Sequence, residues 1–204
     1  MPLMGILRGI ELGAIEPLVE TIISSGLETI EITMNTESAS GLLKRAIAVA
    51  RNKLVTGAGT VLTMDDLNSA LDCGATFIVM PVLIKDVLEY CLRNKIPVFP
   101  GALTPQEIYN AWCSGATMVK VFPAKFFGPD YFKEIKRPFN NIELLACAGV
   151  TPENLPAYFL NGASAVAFGA SVFKKEWLAD KDFASIGESI KKYLAAFRNI
   201  KGST

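Results

Sequence analysis

The sequence predicts an α/β protein, a single-domain (β/α)8 TIM barrel over residues 1–204. Three observations predict it. Short apolar, β-branched runs alternate with helix-period stretches from end to end, the pattern of parallel strands joined by right-handed crossovers. Eight such units follow one another without a linker or low-complexity break. The 204 residues sit at the lower end of the size range for a barrel. Several strands also carry polar residues at alternate positions: Thr29, Glu31, Thr33 and Lys120. A doubly wound open sheet, buried on both faces, calls instead for near-continuous apolar runs. Inward polar residues suit a barrel whose upper layer is an active site.

Each element has its own local warrant. Residues 4–7 are a short apolar strand, and 15–25 a helix by period, stopped by Gly26. Residues 29–33 alternate as a strand, and 38–51 read as a helix. Strand three, 54–58, runs into Gly57-Ala58-Gly59-Thr60. Thr63 starts a helix with Asp65 and Asp66 in its first turn, where carboxylates suit the helix dipole; Gly74 ends it. Strand four is 77–80, its helix 84–93, and strand five 97–99. Thr104-Pro105-Gln106-Glu107 is a cap, a first-turn proline and an acidic partner, opening a helix that ends near Gly115. Strand six is 118–122, followed by a short helix at 130–136. Strand seven is 143–147. Thr151-Pro152-Glu153-Asn154 repeats the cap-then-proline device before a helix ending at Gly162. Strand eight is 165–168; 180–185 is a surface link; 183–199 is a long closing helix. The tail Gly202-Ser203-Thr204 reads as disordered.

Composition narrows the chemistry. Lysine plus arginine balance aspartate plus glutamate at 20 each. No basic field exists to attract nucleic acid or an anionic membrane. The sequence contains no histidine. That removes Ser-His-Asp and Cys-His machinery and the commonest metal ligand. Acid–base work falls to Glu, Asp, Lys, Tyr, Cys or water. Cys73, Cys91, Cys113 and Cys147 form no C-x-x-C pair and read as reduced thiols, which fits the cytoplasm. The start, Met-Pro-Leu-Met-Gly-Ile-Leu-Arg, has no signal-peptide or membrane-span pattern. No metal and no cofactor is expected.

Lys120 is the centre of the chemical reading. In Thr117-Met118-Val119-Lys120-Val121-Phe122-Pro123 it shares a strand face with Met118 and Phe122. Desolvation lowers a lysine's pKa and exposes a nucleophilic amine, as a Schiff-base lysine needs. The plain alternative is a lysine snorkelling to water. Glu31, with Ile30 and Ile32 facing the helices, points to the barrel axis from strand two. Strands two and six lie opposite each other in an eight-strand barrel. Carboxylate and amine then face one another, as a proton-shuttle pair or as a structural ion pair. Gly57-Ala58-Gly59-Thr60-Val61-Leu62 lacks the third glycine of a dinucleotide fingerprint. Its glycines fit a tight turn or close backbone approach to a ligand, with Thr60 offering a hydroxyl. Ala148-Gly149 and Gly169-Ala170-Ser171 follow the last two strands, where barrels often bind phosphate. Arg8 ends strand one and can grip a carboxylate.

These residues resemble a family. Met118–Ala124 in strand six, Ile30-Glu31-Ile32-Thr33 and Gly57-Ala58-Gly59-Thr60-Val61-Leu62 are similar to the 2-keto-3-deoxy-6-phosphogluconate and 4-hydroxy-2-oxoglutarate aldolases. The resemblance runs in order from Gly5 to Gly169. Ile6-Leu7-Arg8-Gly9-Ile10, Met34-Asn35-Thr36 and Phe127-Gly128-Pro129-Asp130-Tyr131 look most like the 6-phosphogalactonate branch. The resemblance implies a class I lyase, metal-free and homotrimeric, that splits a 2-oxo acid substrate to pyruvate and an aldehyde. It puts the Schiff-base lysine on Lys120 and the proton shuttle on Glu31. It puts the pyruvoyl end near Thr60, Pro81 and Phe122, and C4 stereochemistry near Cys147.

Three positions depart from the pattern. Asn35 stands where the gluconate branch has arginine. Ala148 replaces the first of two glycines, and Ala170 a serine, with Ser171 one place later. All three bear on whether the substrate is phosphorylated. Two other readings fit the residues: a barrel that binds a 2-oxo acid or phosphosugar without forming an imine, and a phosphosugar isomerase.

Overall fold

The computed structural model describes residues 1–201, so the tail at 202–204 lies outside the described residues. The apolar runs form parallel strands: β1 (Leu3–Leu7), β2 (Thr29–Thr33), β3 (Val55–Gly59), β4 (Ile78–Val79), β5 (Val98–Phe99), β6 (Gly101–Ala102), β7 (Val119–Val121), β8 (Leu144–Cys147) and β9 (Ala165–Phe168). Their order in the sheet is β5-β4-β3-β2-β1-β9-β8-β7-β6. Its two ends, β5 and β6, are consecutive in the chain, so the sheet curls into a nearly closed barrel.

The seam carries one strand more than expected. Beyond the predicted fifth strand at 97–99, Pro100 interrupts the ladder, having no N–H to add to it, and a second two-residue strand, β6, follows. Successive carbonyls then serve opposite neighbours. Met80 N–H donates to Phe99 O at 3.0 Å, and Lys120 N–H donates to Pro100 O at 2.9 Å. Gly101 lies so close to β4's exit that a Cβ there would sit 2.0 Å from Pro81 O.

The helices are α1 (Ile15–Ser25), α2 (Ala39–Ala50), α3 (Met64–Asp72), α4 (Lys85–Arg93), α5 (Pro105–Cys113), α6 (Gly128–Lys136), α7 (Leu155–Leu160), α8 (Lys175–Ala179) and α9 (Phe183–Lys201), with a 3-10 turn at Ala124–Phe126. Predicted caps hold α3 and α5. Asp66 N–H donates to Thr63 Oγ1 at 3.0 Å while Thr63 N–H donates to Asp66 Oδ2 at 3.1 Å. Thr104 and Glu107 do the same for α5.

Two helical expectations need correction. The helix after β8 starts at Leu155, later than the Thr151-Pro152 signal. Thr151 and Asn154 first close a turn of their own, Thr151 N–H donating to Asn154 Oδ1 at 2.8 Å, and Pro156 takes the first-turn place. Helix α8, five residues long, was not expected between β9 and the closing helix.

Two apolar layers result. Ile30 and Ile32 belong to the outer core between strands and helices. Met4, Phe77, Val79, Leu145, Cys147 and Ala167 fill the barrel interior. From β2, three neighbours lie between it and β7 along β1, β9 and β8. β2 and β7 therefore face each other across the interior.

Candidate active site

The strands' C-terminal ends open on a cavity of about 870 Å³. Strand alternation turns Glu31 from β2 and Lys120 from β7 into its floor, where they are 1% and 5% exposed. Lys120 Nζ stands 3.9 Å from Glu31 Oε1, and 5.4 Å from the Phe122 ring centroid. Glu31 Oε2 is buried without a hydrogen-bond partner. A buried carboxylate oxygen without a partner is uncommon and marks a place where a polar group is wanted.

Burial raises the Glu31 carboxyl above the ordinary carboxylate range, against the pull of Lys120 and Arg8. Burial also works against the Lys120 ammonium, but the Glu31 carboxylate outweighs it and holds Lys120 above the ordinary lysine range. Desolvation alone predicted a lowered lysine; the carboxylate facing it reverses the direction. The protonation of each group thus depends on the other, 3.9 Å away. Burial pushes the Cys147 thiol up, so beside Lys120 it is a neutral group.

A glycine makes room for this pair. Thr33 pairs with Gly59 in register, and a Cβ on Gly59 would lie 2.6 Å from the Glu31 carboxyl carbon. Gly57 similarly admits the Phe77 ring. The Gly-Ala-Gly run thus continues the predicted third strand through Gly59 rather than forming a tight turn, and its missing side chains clear the barrel interior.

The rim gathers most of the remaining sequence candidates. Arg8 Nη2 donates to Thr60 Oγ1 at 3.2 Å. Pro81, Phe122, Cys147, Ala148, Gly149, Gly169, Ala170 and Ser171 also line the cavity. Ala148 and Gly149 both take left-handed backbone, φ 74° and 82°. Asn35 alone of the candidates is outside the lining, exposed on a turn. Thr36 anchors that turn, accepting from Gly9 N–H at 3.1 Å and touching Thr33 Oγ1 at 2.8 Å. This leaves Asn35 on its outer side.

Sequence reasoning missed three charged residues of the wall: Glu11, Lys125 and Lys175. Lys125 lies in the turn after β7, and a Cβ on Gly149 would meet its Cβ at 2.4 Å. The available signal is positional, since loops after barrel strands form the mouth; Lys125 itself sits in no helix or strand pattern. No group of three or more His, Cys, Asp or Glu among the described residues is disposed to hold a metal. No helix among them is long and apolar enough to cross a membrane.

An opposed buried lysine and glutamate under an open, cationic mouth is an arrangement for imine chemistry on an anionic carbonyl compound. Comparison with known proteins agrees. The 2-dehydro-3-deoxy-6-phosphogalactonate aldolase of Escherichia coli (strain K12) is 28% identical over 197 residues, 96% of each chain. A probable aldolase of that name from Rhizobium meliloti (strain 1021) is 30% identical over 174 residues, 85% of this chain and 82% of that one. A solved structure described as native KDPGal superposes with a TM-score of 0.92 at 28% identity, covering 99% of this chain and 97% of its own. A family model for KDPG and KHG aldolases matches residues 1–189. With strands, pocket and sequence in agreement, this chain belongs to the KDPG and KHG aldolase family, whose members are lyases.

Proposed function

We propose that Lys120 forms a Schiff base with the C2 ketone of a 2-keto-3-deoxy sugar acid or 4-hydroxy-2-oxo acid, and that Glu31 moves the protons. The buried pair at 3.9 Å is the observation that carries this reading. Proton transfer from Lys120 to Glu31 frees the amine, which attacks C2 and gives a carbinolamine. Glu31 returns the proton to the departing hydroxyl, and water leaves. The protonated imine then draws in electrons. Glu31 accepts the C4 hydroxyl proton, the C3–C4 bond breaks, and an aldehyde departs. The enamine takes a proton at C3, and hydrolysis releases pyruvate and restores Lys120.

The other candidates take roles by position. Thr60, Pro81 and Phe122 hold the pyruvoyl end, and Arg8 its carboxylate. Cys147, at the end of β8, faces C4. Ala148, Gly149, Gly169, Ala170 and Ser171 receive the far end of the substrate. Arg8, Lys125 and Lys175 outnumber Glu11 at the mouth, which favours an anionic far end, and the phosphogalactonate names of the relatives favour a phosphate. Residues 1–204 act as one unit, in the cytoplasm, as a homotrimer whose mass in solution would be three times that of the chain.

Borohydride trapping tests the reading. Protein incubated with pyruvate and reduced should gain a covalent adduct on the peptide carrying Lys120, located by mass spectrometry. Lys120→Arg should give none. A folded sample that takes no label at saturating pyruvate would end the Schiff-base proposal.

A further inference from the structure

One side chain of the last helix reaches the pocket wall. Tyr193, on α9, is 1% exposed, and its ring lies against Phe168 at the end of β9, centroids 4.2 Å apart. Its hydroxyl donates to Val150 O at 2.8 Å, in the loop after β8. The same oxygen lies 2.8 Å from Ser171 Oγ, in the loop after β9. A phenol carries a single proton, and a carbonyl carries none. The Tyr193 proton is therefore committed to Val150, and Ser171 must donate to Tyr193.

Two consequences follow from that order of donors. Each loop is closed internally. Asn154 Nδ2 donates to Gly149 O at 2.9 Å, and the N–H groups of Val172 and Phe173 both donate to Gly169 O at 2.9 Å. Tyr193 then joins one loop to the other. Ser171 lines the pocket, and its hydroxyl also has no proton left for an anion.

We infer that Tyr193 is a positioning residue for the outer end of the pocket: its hydroxyl sets the spacing of the 148–151 and 169–171 loops and takes up the Ser171 proton. The far anionic group is then read by loop backbone and lysine charge, not by the Ser171 hydroxyl. The inference rests on the aldolase reading for its substrates, and on the hydrogen-bond chain for its geometry.

Tyr193→Phe is the test, since it removes the hydroxyl and keeps the ring on Phe168. Pyruvate is condensed with glyceraldehyde and with its 3-phosphate, a pair of aldehydes differing only in the distal anion. The expected result is a KM for the phosphorylated aldehyde raised about tenfold, with kcat and the unphosphorylated reaction changed less than about threefold. Equal losses with both aldehydes would mean a general structural role and overturn the inference. An unchanged or lowered KM would also overturn it, because freeing the Ser171 proton would then have helped. Ser171→Thr should keep the phosphate preference. Ser171→Ala should lose part of it, since the Tyr193–Val150 bond survives, and Ser171→Ala combined with Tyr193→Phe should lose no more than Tyr193→Phe alone; a further loss would mean that the Ser171 hydroxyl reads the anion itself and would overturn the inference. Inorganic phosphate titrated by calorimetry should bind about tenfold more weakly to Tyr193→Phe. That readout holds whether or not pyruvate labels Lys120, so the two proposals fail separately.

Discussion

Lys120 and Glu31 are worth more together than apart, because neither charge is tolerable alone in the barrel interior. Their spacing depends on a residue that touches no substrate. Gly59, in register with Thr33, leaves the space the Glu31 carboxyl occupies, and a methyl there would sit 2.6 Å from the carboxyl carbon. The atom in the way is the end of a side chain that can rotate, so the backbone need not move. Gly59→Ala should therefore fold, with a stability loss under about 2 kcal/mol, and fail in chemistry. If Glu31 is the proton shuttle proposed above, displacing it should lower kcat by a factor on the order of 10². Steady-state assays beside urea denaturation check both halves; full activity would show that Glu31 has room to spare.

The short strand β6 shows the opposite case. A Cβ on Gly101 would lie 2.0 Å from Pro81 O and 2.9 Å from Val82 N, both backbone atoms. Nothing there rotates away, and Pro81 itself lines the pocket. Gly101→Ala should cost at least about 3 kcal/mol or prevent folding, read as a lowered urea midpoint or as insoluble protein; an unchanged midpoint would show that the seam can slide. The sequence made most of the elements legible because period and punctuation agreed: α1 and β2 begin and end where Gly26 and the Thr29–Thr33 alternation say. Glu31 and Lys120 were legible for a related reason, as charges on strand faces that should be apolar. The extra strand after Pro100 was not, since a two-residue strand has no period to read. Nor were Lys125, Lys175 and Tyr193. Their place at the pocket comes from loop and helix packing between distant segments, which no local pattern encodes. The same limit explains Gly59, which looks like a turn glycine until the strand pairing sets it against Glu31.

Across the whole molecule, burial leaves several groups that give up their protons late. The Cys91 thiol, in the core on α4, is pushed up to about 11 by burial. Burial also raises Tyr158 and Tyr193, and the Glu31 carboxylate holds Lys120 up against its own desolvation. In the unfolded chain these groups return to ordinary values, about 8.5 for a thiol and about 10 for a phenol or lysine. Above about pH 8.5 the native protein thus binds more protons than the unfolded one, and stability falls as pH rises. The contribution is complete below the unfolded values and lost as pH climbs toward the folded ones. For Cys91 alone the difference amounts to about 3 kcal/mol once fully developed. Urea midpoints at about pH 8 and about pH 10.5, in reductant, should fall between the two for the unaltered protein. Cys91→Ala should start lower, because it opens a small cavity, and fall less steeply, because one late-titrating group is gone. Parallel slopes would mean that Cys91 titrates alike in both states, and would move the alkaline weakness to the tyrosines and the Lys120–Glu31 pair.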